Sequence, residues 1–337
     1  MRHLRSWFSV SLKQTVNSRT FYESAATEMT AVDTVIRQRL YSDVLLVRKV
    51  ADYIIGAGGK RMRPALLLTV ARACGYAGTH HIDLAAVIEL IHTATLLHDD
   101  VVDESALRRG AETANALFGN AASVLVGDFL YSRAFQMMLS VPNHRVTEVL
   151  ADATNVIAEG EVLQLMNCHN ADLSVEEYLQ VVRFKTAKLF EAAARLGGII
   201  ANVGSDIEDD LANYGMHLGT AFQIIDDVLD YSGDEGATGK HLGDDLAEGK
   251  TTLPLIHVMC SKNAECARVV RTAIETGSRD DFADVLAAVQ TCDALSKSRL
   301  QGEAEAIAAK GYLARLPDSN FKQTLIQFAD FAVLRTF

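Results

Sequence analysis

Two short acidic stretches carry the residues whose types and spacing could do chemistry: Asp99-Asp100-Val101-Val102-Asp103 and Asp226-Asp227-Val228-Leu229-Asp230. Each has the spacing D-D-x-x-D and follows a long apolar run, which places it at the end of a buried helix. On a helix, the first and last acids of such a motif lie on one face. Two carboxylates about 6 Å apart at an effective dielectric of about 20 repel by roughly 3 kcal/mol, and the negative end of the helix dipole adds to that cost. One such cluster, here extended by Glu104, would read as a solvated helix end. Two in a helical chain read better as a facing pair offering oxygen ligands to hard divalent cations. Mg²⁺ is bound by a few carboxylates together with phosphate oxygens, so the implied ligand is a diphosphate held through metal.

A diphosphate neutralised by Mg²⁺ and by Lys or Arg is a good leaving group. Candidate cations stand near the motifs: Arg108 after the first, Lys240 and Lys250 after the second, and Lys185 in Phe184-Lys185-Thr186-Ala187-Lys188. A separate set, Lys60 and Arg63 beside Gly58-Gly59, with His92 and Arg109, is suited to a second diphosphate without metal. Taken singly, each Lys or Arg would read as a solvated surface residue, and His92 as a satisfied structural histidine.

The elements that must position these groups are helices. The chain has 337 residues and only four prolines (Pro64, Pro142, Pro254, Pro317), so long helices run between them, and an all-α fold is predicted. Apolar periodicity predicts two helices between about 26 and 55, then helices over about 65–74, 82–102, 121–138, 146–168, 175–200 and 206–232. Several are apolar nearly all round, as in the centre of a large bundle. Residues 233–249, rich in glycine and acid, read as a loop able to close over a site, and residues 253–337 as peripheral helices. Residues 1–22 carry Arg2, Arg5, Lys13 and Arg19 and no acid, and form a basic extension expected to be poorly ordered. Residues 23–337 are expected to form a single domain.

Composition narrows the class. Hydrophobic residues at 49% and charged residues at 22% describe a soluble globular protein, and the net charge of −11 argues against nucleic acid as a partner. Five scattered cysteines without C-x-x-C spacing indicate neither a disulfide frame nor a zinc site, which fits a reducing compartment. No apolar run reaches the ~18 residues of a membrane span. A cytoplasmic location is expected, or a mitochondrial or plastid one if residues 1–22 are a transit peptide.

With these residues in view, the sequence resembles the trans-isoprenyl diphosphate synthases, most closely the bacterial octaprenyl type. The resemblance runs from about Met29 onward. It rests on Gly58 through Pro64, His92 through Arg109, Gly127-Asp128-Phe129, Gly160-Glu161, Lys185-Thr186-Ala187, Gly219 through Asp230, Lys240 and Gly249-Lys250. It implies a single all-α bundle around a deep central cavity, the isoprenoid synthase type of fold, and a homodimer. It also implies repeated addition of isopentenyl diphosphate to an allylic diphosphate such as farnesyl diphosphate, giving a lipophilic octaprenyl chain for a quinone side chain. Asp99, Asp103 and Asp226 would ligate Mg²⁺, three ions per site, with Asp100, Asp227 and Asp230 as further ligands or their supports. Arg108, Lys185, Thr186, Gln223, Lys240 and Lys250 would contact the allylic diphosphate. Lys60, Arg63, His92 and Arg109 would hold isopentenyl diphosphate.

Product length follows from the helix below the first motif. Ala94 and Thr95, five and four residues before Asp99, lie about one turn beneath the site. Short-chain relatives carry bulky aromatics there; the small residues here leave the way open. Ile91 and Val87, with Tyr131, Phe135 or Met138, are candidates for a lower stop, or plain core. A helix of about 20 residues is about 30 Å long, enough for a long prenyl tail. Two other readings fit the residues less well. A metal phosphohydrolase built on His98-Asp99 leaves the second acidic motif and the Lys60/Arg63 loop without roles. A non-catalytic regulatory subunit could dispense with one motif, whereas both are intact.

Overall fold

The computed structural model describes residues 19–56, 58–108, 110–232, 242–277 and 279–335. Among the described residues, sixteen α-helices account for nearly all of the regular structure. α1 (Arg19–Arg39) and α2 (Leu45–Gly56) lead into α3 (Met62–Ala73) and α4 (His80–Val102), the helix that ends in the first acidic motif. α1 starts at Arg19, inside the stretch assigned to the basic extension. A small antiparallel hairpin, β1 (Leu107–Arg108) and β2 (Ala111–Glu112), follows. Then come α5 (Ala114–Phe118), α6 (Asn120–Met138), α7 (His144–Met166) and α8 (Val175–Val181). A π-helical turn, Val182–Ala187, interrupts what the sequence predicts as one helix and passes into α9 (Lys188–Ile200). α10 (Ser205–Leu229) ends in the second motif. The chain finishes with α11 (Asp244–Ala247), α12 (Leu253–Met259), α13 (Ala264–Thr276), α14 (Phe282–Thr291), α15 (Ala294–Gly311) and α16 (Asn320–Leu334).

The core explains the order of the layers. Leu84, Ile88, Leu90 and Leu97 of α4 are fully buried, each contributing roughly 2 kcal/mol of transfer free energy. α4 packs along α6 on one side and α3 and α9 on the other, and α9 packs in turn on α10. α9 therefore stands between the two helices that carry the acids. The later helices are less peripheral than their amphipathic patterns suggest. α15 lies along α10, with Ser298, Gly302 and Ala306 buried, and a Cβ at Gly302 would stand 3.1 Å from Ile225. Its small residues, not its hydrophobicity, allow that approach. Among the described residues, no helix is long and apolar enough to cross a membrane.

Candidate active site

Both acidic motifs stand at the last turn of their helices, with Asp103 and Asp230 as the C-caps of α4 and α10. Negative charge is disfavoured there, and each motif divides its acids in the same way. The middle acid turns inward: Asp100 and Asp227 are 0% and 3% exposed. Arg108 from β1 donates to Asp100 Oδ1 through Nε at 2.8 Å and Nη2 at 2.6 Å. Burial pushes the Asp100 carboxyl up, while Arg108 opposes that shift. Tyr178 of α8 donates to Asp227 Oδ2 at 2.5 Å, and Gln223 donates to Oδ1 at 2.8 Å. Burial, with Asp245 nearby, holds Asp227 well above the usual carboxylate range. Asp99, Asp103 and Asp226 remain partly exposed. Among the six acids, the structure thus separates inward anchors from those able to meet a ligand.

Cations converge on the exposed acids. Lys250 Nζ lies 2.7 Å from Asp103 Oδ2 and 2.6 Å from Glu248 Oε2. Burial works against the charge on Lys250, but Glu248 and Asp103 outweigh it and keep the ammonium protonated. Lys185 Nζ lies 2.5 Å from Glu161 Oε2 and 3.7 Å from Asp99 Oδ2. A glycine makes this meeting possible, because a Cβ on Gly160 would stand 2.6 Å from the Lys185 backbone nitrogen. Burial pushes Glu161 up to about 7, a shift that Lys185 opposes and Asp99 reinforces.

The π turn links the two motifs through adjacent residues. Lys185 reaches Asp99 of the first, while Thr186 Oγ1 donates to Gln223 Oε1 at 3.0 Å, and Gln223 donates to Asp227 of the second. Inserting a residue in a helix re-aims side chains, which is why π turns recur at functional sites. Neither Glu161, Glu248, Tyr178 nor the π turn was picked out as functional from the sequence. Glu161 stood within a quoted motif; the others carried no local signal.

The second basic set is assembled beside these groups. Gly58 and Gly59 have φ of +70° and +151°, a backbone that delivers Lys60 and the N-terminus of α3. Arg63 Nη1 lies 3.2 Å from His92 Nε2, its guanidinium 4.5 Å above the Phe190 ring, and Lys60 Nζ lies 5.8 Å from the Phe222 ring. Phe190 and Phe222 pack together at 5.7 Å between centroids. Arg109 and Lys240 lie outside the described residues.

Below Asp99, Thr95 is half-buried, its Oγ1 donating to the His92 carbonyl at 2.8 Å, whereas Ala94 and Ile91 are buried in the core. On a helix, the residue four before Asp99 shares its face more closely than the residue five before it, which accounts for the difference. Tyr131 stacks between His98, at 6.3 Å, and Phe135, at 6.2 Å, and Met138 is buried beyond them.

Carboxylates with lysine and arginine around them match the donor set that a hard cation and a diphosphate require together. Among the described residues no three His, Cys, Asp or Glu side chains form a ready cage for a metal ion. The carboxylates of the two motifs thus do not by themselves complete a coordination sphere.

Residues 44–291 match the family model described as polyprenyl synthetase. The octaprenyl diphosphate synthase of Escherichia coli (strain K12) is 52% identical over 321 residues, covering 95% of this chain and 99% of that protein. The chain belongs to the polyprenyl synthetase family. It is a Mg²⁺-dependent prenyltransferase that builds long-chain trans-polyprenyl diphosphates. The geranyl-diphosphate-specific all-trans-nonaprenyl-diphosphate synthase of Rhodobacter capsulatus is 43% identical, covering 92% of this chain and 95% of that one. The fold matches the crystal structure of a polyprenyl synthase from Caulobacter crescentus CB15 complexed with calcium and isoprenyl diphosphate. That match has a TM-score of 0.92 and 41% identity, covering 95% of this chain and 98% of the other.

Proposed function

We propose that the product is octaprenyl diphosphate, made from farnesyl diphosphate and isopentenyl diphosphate and used as a quinone side chain. The observation that carries the site assignment is the bridge at Lys185-Thr186, which ties the two acidic motifs into one unit. Asp99, Asp103 and Asp226 would hold the Mg²⁺, three ions per site, and the metal would supply charge neutralisation for the leaving diphosphate. Lys185, Lys250 and Lys240 add charge from the protein side. Thr186 and Gln223 orient the second motif, and Asp230 and Asp227 support it. Asp100 anchors Arg108, holding that guanidinium at the edge of the first motif. Lys60, Arg63, His92 and Arg109 place isopentenyl diphosphate with its double bond toward the ionising carbon. The allylic carbon–oxygen bond breaks, the double bond attacks the cation, and the departing diphosphate takes the proton.

Three relatives support a long product: the octaprenyl and nonaprenyl synthases above, and a decaprenyl diphosphate synthase structure from Rhodobacter capsulatus, 44% identical with a TM-score of 0.89. The small Ala94 and Thr95 agree with them, and Ile91, Tyr131, Phe135 and Met138 set the lower limit. A homodimer covers the exposed apolar residues Leu125 of α6 and Leu165 and Met166 of α7; a monomer in sedimentation equilibrium would count against it. From α1 onward the chain is one catalytic domain working in the cytoplasm. Asp99→Ala and Asp226→Ala test the assignment. Each loses turnover of farnesyl and isopentenyl diphosphates by at least a hundredfold at a temperature where the variant remains folded; near-normal turnover in either variant rejects the metal clamp.

A further inference from the structure

The second acidic motif is held by a residue 109 positions downstream. Arg335, just beyond α16, has a side chain only 1% exposed. Its guanidinium lies 3.9 Å from the centroid of Phe222, Nη2 donates to the Phe222 carbonyl at 2.7 Å, and Nη1 donates to Asp226 Oδ1 at 3.0 Å. Phe222 and Asp226 are four residues apart on α10 and share a face, so one planar group grips two successive turns. The Asp226 side chain is 45% exposed, so the anchor is buried while the carboxylate it holds faces outward. α16 itself packs against α3, α10 and α15, which fixes where Arg335 emerges.

We propose that Arg335 is the positioning residue for Asp226. It holds the carboxylate by Oδ1 and fixes its rotamer, setting the orientation in which that carboxylate would ligate a cation. This rests on the assignment of Asp226 as a Mg²⁺ ligand. Two of the three contacts of the guanidinium are with Phe222, so its placement does not depend on Asp226. Arginine is needed because only a flat, permanently charged fork can stack on the ring and donate in two directions; an ammonium does one or the other. The ring of Phe222 also carries Lys60 at 5.8 Å. The same aromatic therefore contacts both the anchor of Asp226 and Lys60.

The test is calorimetric binding of a non-reactive allylic thio-diphosphate to the full chain, with saturating Mg²⁺ and with EDTA. Arg335→Ala and Arg335→Lys are each expected to weaken Mg²⁺-dependent binding about tenfold, measured at a temperature where both variants remain folded. Arg335→Lys keeps the charge and guards against simple misfolding. Binding of isopentenyl diphosphate alone stays within twofold. In an Asp226→Asn background, Arg335→Ala changes Mg²⁺-dependent binding by less than twofold, because the residue it acts through is gone. An equal tenfold loss in that background, or no loss from Arg335→Lys and Arg335→Ala, overturns the proposal while leaving Asp226 as a ligand. If Asp226→Asn alone leaves Mg²⁺-dependent binding intact, the ligand assignment falls and the proposal falls with it.

Discussion

Glu161→Gln makes the electrostatics of the site measurable without substrate. In the folded protein the Glu161 carboxyl is pushed from its ordinary value of 4.5 up to about 7, first by burial and then by Asp99, against the pull of Lys185. Between those two values the folded chain binds more protons than the unfolded one, so unfolding free energy falls as pH rises. The stability associated with protonated Glu161 is fully present below about pH 4.5 and lost once pH passes about 7. A shift of that size at about 1.4 kcal/mol per pH unit gives a ceiling of roughly 3 kcal/mol, and partial solvent access lowers it to about 2 kcal/mol. The assay is urea unfolding in EDTA at pH 5 and pH 8 for both proteins. The drop in stability from pH 5 to pH 8 should be smaller in Glu161→Gln by about 2 kcal/mol. Comparing drops cancels the loss of the Lys185 partner, which changes stability at both pH values. Identical drops would show that Glu161 is already ionised at pH 5, and the account in which burial holds its carboxyl up would fail.

Two further outcomes follow from the same geometry. Ala94→Tyr places a ring about 7.5 Å along α4 from Asp99 and should shorten the product to three or four isoprene units in a chromatographic assay; an unchanged product ladder would remove this helix from length control. Tyr178→Phe removes the hydroxyl that donates to the buried Asp227 and should cost about 1–3 kcal/mol in urea unfolding. A variant as stable as the wild type would contradict the contact.

Spacing made the central features legible. The two D-D-x-x-D motifs repeat a helical geometry, and an apolar run before each marks the buried helix that carries it, so α4 and α10 end where the sequence predicts to within about three residues. The division of labour within each motif was out of reach, because it depends on what meets the middle acid. For Asp100 that is Arg108, expected at the allylic diphosphate but pointing at the carboxylate; for Asp227 it is Tyr178, 49 residues away. Arg335 left no trace for the same reason, since no local pattern links it to Asp226. The π turn was hidden because Val175 through Ile200 reads as one continuous amphipathic run. Only packing against Gly160 and α10 shows where an extra residue is accommodated.

The most direct measurement of the central claim is the size of the product made by the purified chain from labelled isopentenyl diphosphate and farnesyl diphosphate with Mg²⁺. The 52% identical octaprenyl diphosphate synthase, with which the small Ala94 and Thr95 agree, predicts a ladder that accumulates at eight isoprene units and disappears with EDTA. Products that stop at four units or fewer, or elongation that survives removal of the metal, would contradict it.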